Sequence, residues 1–215
     1  MSKKEKNTNS NTKKYIAFTV VIILVVGLVG FGACKLFGDT TEENTVAKKT
    51  TNTIEGYGYT LDDLDTELYK EEFNKLKENL TGSQINYDEY AKSIAKLFII
   101  DLYTINNKIN KYDVGGTEFL ESSVVENYIT NVDDTIYRYV EDNTNGKRNQ
   151  NLPEVISIDV ANFKSTTFKV KDENKEYEAY SVKLTWKYHV DYGYDTEGEV
   201  IVIKKDNKLY VVEKN

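Results

Sequence analysis

Cysteine and histidine are almost missing from this sequence: Cys34 and His189 are the only ones in 215 residues. A lone cysteine excludes an intramolecular disulfide framework, and one of each cannot build a His/Cys metal centre within a single chain. Neither a metal nor a cofactor is expected. The usual catalytic fingerprints are missing as well: there is no P-loop, no dinucleotide-binding glycine pattern, no Gly-x-Ser-x-Gly elbow and no metalloprotease helix. Proline is down to one residue, Pro153, so long helices and strands can run without interruption. Positive charge is short overall, with a net charge of −7. Lys3, Lys4, Lys6, Lys13 and Lys14 against Glu5 leave +4 in the first fourteen residues, and residues 15–34 carry no charge. With −7 in total, the remainder from Lys35 onward holds −11. An acidic body of this kind repels phosphate backbones, which excludes nucleic acid as its partner.

What is present describes one globular domain with attachments. Hydrophobic residues make up 40% and charged residues 29% of the chain, a globular balance at a length too short for two ordinary domains. From Tyr15 to Cys34 the sequence is uncharged and rich in Val, Ile, Leu, Phe and Gly. Twenty residues at about 1.5 Å each span about 30 Å, the thickness of the bilayer's hydrocarbon core. The expected organisation is a basic cytoplasmic tail at 1–14, a transmembrane helix at 15–37, a polar stalk at 38–58 and an extracytoplasmic domain at 59–215. The lysines before the apolar run place the N-terminus in the cytoplasm and the domain outside the cell membrane. Membrane lipid is then the partner of residues 15–37.

Two anchors fit that segment. Phe31, Gly32, Ala33 and Cys34 resemble a bacterial lipobox, in which the cysteine is lipidated after cleavage of a signal peptide. Phe31 is a poor substitute for the usual leucine, however, and Leu36 and Phe37 extend the apolar zone past the cysteine. An uncleaved anchor is therefore preferred, with lipidation at Cys34 as the alternative. Both put the domain on the same side.

Within the domain, helical spacing comes first. Thr60 with Asp63 predicts a capping box, followed by Leu61, Leu64, Leu68, Phe73, Leu76 and Leu80, with Gly82 as the stop. A second helix is predicted from near Asn86, with Tyr90, Ile94, Leu97, Phe98, Leu102, Ile105 and Ile109 on one stripe, until Asp113, Val114, Gly115 and Gly116 break it. Ser123 with Glu126 predicts a third, carrying Val125, Tyr128, Ile129, Val132, Ile136 and Val140. Beyond Asn151 the period changes to two. Ile156, Ile158 and Val160 alternate with polar residues, and Tyr180, Val182, Leu184, Trp186, Tyr188 and Val190 share one strand face opposite Lys183, Lys187 and His189. Val200–Ile203 and Leu209–Val212 flank an Asp206–Asn207 turn. Helices first and strands last define an α+β fold: three helices packed on a curved, mostly antiparallel sheet behind a transmembrane helix.

That order of elements over Tyr59–Asn215 resembles the nuclear-transport-factor-like, or cystatin-like, cone. Membrane-anchored versions with a short cytoplasmic tail occur among conjugation and secretion apparatus subunits. The segment Ile99–Phe119, with Asp113, Val114, Gly115 and Gly116, is similar to that of uncharacterised envelope proteins of low-GC Gram-positive bacteria. The resemblance implies a fold and a setting; it brings no catalytic motif with it.

Asp101, with Tyr103 nearby, is the candidate for a ligand-binding or catalytic position, because it interrupts Leu97, Phe98, Ile99, Ile100 and Leu102. A carboxyl forced into such a site has a raised pKa and serves as a base. The plainer alternative is a solvated residue at the edge of the stripe, or one that caps a backbone group. His189 falls on the polar strand face without a partner motif. Asp191, Asp195, Glu197 and Glu199 offer calcium-type oxygens, but their spacing does not match an EF-hand, and a solvated hairpin tip is the better reading. The expectation is a non-enzymatic protein-interaction or scaffolding component of the cell envelope with an unknown protein partner. The alternative is a ligand-binding or enzymatic cone with a polar cavity at Asp101.

Overall fold

A computed structural model of the chain describes residues 45–170 and 173–215. The tail, the apolar segment with Cys34 and residues 38–44 lie outside the described residues. Among the described residues no helix is long and apolar enough to cross a membrane.

The chain enters through a hairpin, β1 (Thr50–Ile54) and β2 (Tyr59–Asp62), closed by Gly56 and Gly58 at positive φ. This revises the polar-stalk boundary at 58. Val46 N–H donates to the Thr144 carbonyl at 2.6 Å, and Lys48 pairs with Asp113 at 2.6 Å, so the chain is already attached to the body before β1. Composition hid this because Ile54 is the only buried residue of β1. Thr60 consequently sits in a strand and caps nothing. Its N–H and hydroxyl both go to Glu118, and Thr66 caps the first helix instead, its Oγ1 accepting from Tyr69 N–H at 3.3 Å. That helix, α1, runs Glu67–Thr81 and stops at Gly82 as predicted.

Asn86 caps α2 (Tyr87–Tyr103) by accepting from the N–H groups of Asp88 and Glu89. Helix α2 is the centre of the core: Tyr90, Ile94, Leu97, Phe98, Ile100 and Leu102 are all buried, with α1 and the four-stranded sheet packed against it. It ends before Ile105 because Ile105 and Asn106 N–H both turn to the carbonyl of Pro153. The loop that follows reaches a 3-10 turn at Thr117–Phe119, and α3 (Ser122–Asp134) comes after it. The predicted Ser123 cap is not used; Glu121 precedes the helix and makes no side-chain cap. Ile136 and Val140 lie past the end of α3, and Val132 is its one buried residue.

The main sheet is antiparallel in the order β3-β4-β5-β6, from β3 (Val155–Val170), β4 (Lys175–Tyr188), β5 (Glu197–Lys205) and β6 (Lys208–Lys214). Tyr180, Val182, Leu184 and Trp186 face the core and the exposed Lys183, Thr185 and Lys187 between them do not, as the alternation predicts. Ala179 is buried in a smaller cluster with Tyr177 and Ile203. Two predictions fail at the strand ends. A bulge between Val155 and Ser157 shifts the register, so Val155 is buried and Ile156 is 48% exposed; Val190 lies beyond β4 and is 46% exposed. The fold is α+β, with three helices and antiparallel sheets.

Candidate functional site

The C-terminal turn of α2 and the loop after it form a buried polar cluster. Asp101 Oδ1 is paired with Lys108 Nζ, whose side chain is fully buried, and Asp101 Oδ2 accepts from Gly116 N–H at 2.6 Å. Two glycines make this approach possible. A Cβ on Gly115 would lie 2.1 Å from the Asp101 carbonyl oxygen, and Gly116 has φ +83° with Phe98 2.8 Å from its Cβ position. Tyr137 lies across the same junction, donating to the Leu102 carbonyl at 2.8 Å. Asp113 ties off the loop by accepting from Ile109 N–H and pairing with Lys48.

Asp101 therefore works against the chemistry its sequence setting suggests. Burial alone pushes its carboxyl up, but Lys108, Lys48 and the Gly116 N–H together outweigh that and hold it below the usual range. Its carboxylate is committed to internal partners, and it lines none of the described clefts. Tyr103 points elsewhere, donating to Asp195 Oδ2 at 2.9 Å and packing on Trp186 with ring centroids 5.2 Å apart. The two candidate residues share no partner.

The remaining candidates separate in the same way. His189 is exposed, beside Asn106, Asn151, Glu154 and Tyr192. Asp195 is taken by Tyr103 and Lys214, Asp191 by Gly193 N–H, and Glu199 by Ser181. Among the described residues no group of three or more His, Cys, Asp or Glu is arranged to hold a metal ion.

Sequence reasoning missed the groups that surround Asp101. Glu118 Oε2 accepts from Thr60 N–H at 2.9 Å and Thr60 Oγ1 at 3.0 Å, and its Oε1 accepts from the Tyr69 hydroxyl at 2.7 Å. Burial first, and then the charge of Asp101, raise the Glu118 carboxyl to about 7. Asp65 Oδ2 accepts from Asp62 N–H at 2.6 Å, and burial followed by Asp101 raises its carboxyl to about 6. Glu118 stands in a segment without periodicity and Lys108 is a charged residue in the predicted second helix, so nothing local marks either as interior.

The most apolar cleft lies between α3 and β6 and measures about 620 Å³. Leu120, Val124, Tyr128 and Val132 line one side and Val211 and Val212 the other, with Phe98 and Leu102 of α2 and Phe168 and Val170 of β3 completing it. β6 is an edge strand. Its Leu209 N–H donates to the Tyr90 hydroxyl at 3.3 Å, and its carbonyl accepts from Tyr59 at 3.1 Å, so these groups point away from β5. By strand alternation those of Val211 do too. Among the described residues no backbone group from outside the sheet bonds to Val211 or Val212.

Comparison of the chain with protein-family models, with curated proteins and with solved structures gives no match in any of the three.

Proposed function

We propose that this chain is a single-pass membrane protein with a cytoplasmic N-terminus, whose extracytoplasmic cone-like domain is a non-enzymatic interaction module of the cell envelope. Its partner supplies an extended segment that adds to the β6 edge in the cleft beside α3. The single supporting observation is the apolar cleft between α3 and the edge strand β6, on whose wall α3 leaves Val124 45% exposed. Main-chain bonds give such additions affinity, and alternate side chains entering a groove give selectivity. The four residues Val211–Lys214 span about 13 Å, room for a short strand. The anchor rests on the uncharged run of residues 15–34 behind five lysines. Asp101, bound to Lys108 and Gly116, offers no free base, which favours interaction over catalysis.

Peptides selected from a random library against the full chain should show alternating apolar residues and should slow hydrogen exchange at the Val211 amide. Binders without alternation, or binding that leaves that amide unchanged, would overturn the strand-addition reading. Saturable uptake of a fluorescent fatty acid, with no peptide binders, would favour the ligand-binding cone instead. The topology has its own check. Protease added to wall-stripped cells should remove the region after Gly38 and spare the first fourteen residues, and a protected C-terminal domain sinks the assignment.

A further inference from the structure

Lys108 differs from every other paired lysine. Among the described residues, the others in salt bridges keep 20% or more of their side chains exposed, whereas the Lys108 side chain keeps none. Its Nζ ends on Asp101 Oδ1, and among the described residues no second carboxylate bonds to it. Taking an ammonium wholly out of water is costly, and attraction to one carboxylate offsets that cost only in part. Both partners are held in place. Asp101 sits on α2, and Gly116 N–H donates to its Oδ2 at 2.6 Å across the close approach that Gly115 permits. Lys108 N–H donates to the Ile105 carbonyl at 3.1 Å, and its own carbonyl accepts from Arg148 Nη1 at 2.9 Å. An amine and a carboxyl are thus fixed in contact on an ordered backbone. Only the Asp101 side chain keeps an opening to solvent, at 18% exposure.

We propose that this pair condenses to an intramolecular amide joining Lys108 Nζ to Asp101 Cγ. The pair starts ionic, and nothing but water is lost. Nζ first gives a proton to Oδ1, a neutralisation that a dry site makes easier than bulk water does. The freed lone pair forms the bond to Cγ, and the carbonyl electrons move onto Oδ2, where Gly116 N–H meets the developing charge. Nζ passes a second proton to the Oδ1 hydroxyl, the Cγ–Oδ1 bond breaks, and water leaves through the open side of Asp101. The electron pair on Oδ2 re-forms the carbonyl, and Nζ keeps one hydrogen. Contact makes the attack unimolecular, which favours a condensation that dilute amines and acids do not undergo in water. Burial then keeps water from reversing it. The product is uncharged, so the interior no longer holds an ammonium, and Gly116 N–H keeps its acceptor. With one cysteine the chain has no internal disulfide; the amide gives it a covalent cross-link that fixes the turn at the end of α2.

Mass spectrometry of the full-length chain, folded, then denatured and digested with trypsin, reads the bond directly. Trypsin cuts after free lysines, so an unlinked chain yields Leu97–Lys108 at its sequence mass. The linked chain resists cleavage at Lys108 and should yield Leu97–Lys111, about 18 Da lighter than its sequence for the one water lost. Fragmentation of that peptide should release nothing from between Asp101 and Lys108, because both ends of the ring stay joined. Leu97–Lys108 at full mass overturns the proposal, as does Leu97–Lys111 without the loss. A light peptide that still ends at Lys108 reports a succinimide at Asp101 and overturns it too. Lys108→Arg keeps the positive charge, but its guanidinium does not condense, so cleavage at position 108 should return with full mass. Water loss that survives in that variant places the bond elsewhere and overturns the assignment. Should the variant fail to fold, the wild-type peptides decide the question alone.

Discussion

Helices α2 and α3 have similar apolar spacing and opposite fates. Along α2 the stripe from Tyr90 to Leu102 is buried between α1 and the sheet, whereas along α3 only Val132 is buried and Val124 is 45% exposed. Their neighbours account for the difference. β3, β4, β5 and β6 all pack on α2, while α3 is approached mainly by the short turn that precedes it. Periodicity identifies the face that is able to bury itself; the number of elements that arrive to cover it decides whether it does. The face left over on α3 is what lines the cleft.

Four substitutions can break this contrast, in order of expected effect. Trp186→Ala, removing a buried ring that packs on Tyr103 of α2, should cost about 3–5 kcal/mol in denaturant unfolding. Ile94→Ala in the middle of α2 should follow at about 2–5 kcal/mol. Equal or smaller losses at both sites than at α3 positions would mean that α2 is not the core. Val124→Ala should change stability by less than about 0.5 kcal/mol yet weaken binding of any peptide that adds to β6. A large stability loss there would show that α3 is packed in solution and would remove the cleft. Lys187→Ala, on the face of β4 opposite Trp186, should also stay within about 0.5 kcal/mol and serves as the register control. If Lys187 proves as costly as Trp186, the strand faces are reversed.

The cap at Asn86, the stop at Gly82 and the Tyr180-to-Trp186 face were all legible, because each depends on residues close together in the chain. The end of α2 was not, since the stripe runs on to Ile109 while the helix stops at Tyr103, where Ile105 and Asn106 turn to Pro153. The Thr60 box was misleading for the opposite reason. Its local bonds compete with distant ones, and Glu118, 58 residues away, wins Thr60. The Ser123 box failed because α3 already begins at Ser122. The Ile156 error has a similar origin. A single extra residue at a bulge flips a face, and only the pairing with β4 reveals it.

The candidate site divides along the same line. Asp101 stood out in sequence as an acid in an apolar run, a local property. That its carboxylate is held ionised by Lys108 rather than raised by burial depends on a loop folding back across Gly115, where no Cβ fits. The sequence by itself determined the order of the main helices and of the C-terminal strands, the acidic body, the basic start and the absence of an intramolecular disulfide or a His/Cys metal centre, since these follow from composition and short-range spacing. Tertiary structure alone decided which acids are neutralised, which carboxyl sits near neutrality and which helix face lines the cleft. Those properties are set by desolvation and by charges brought together from distant parts of the chain, and neither is encoded in spacing.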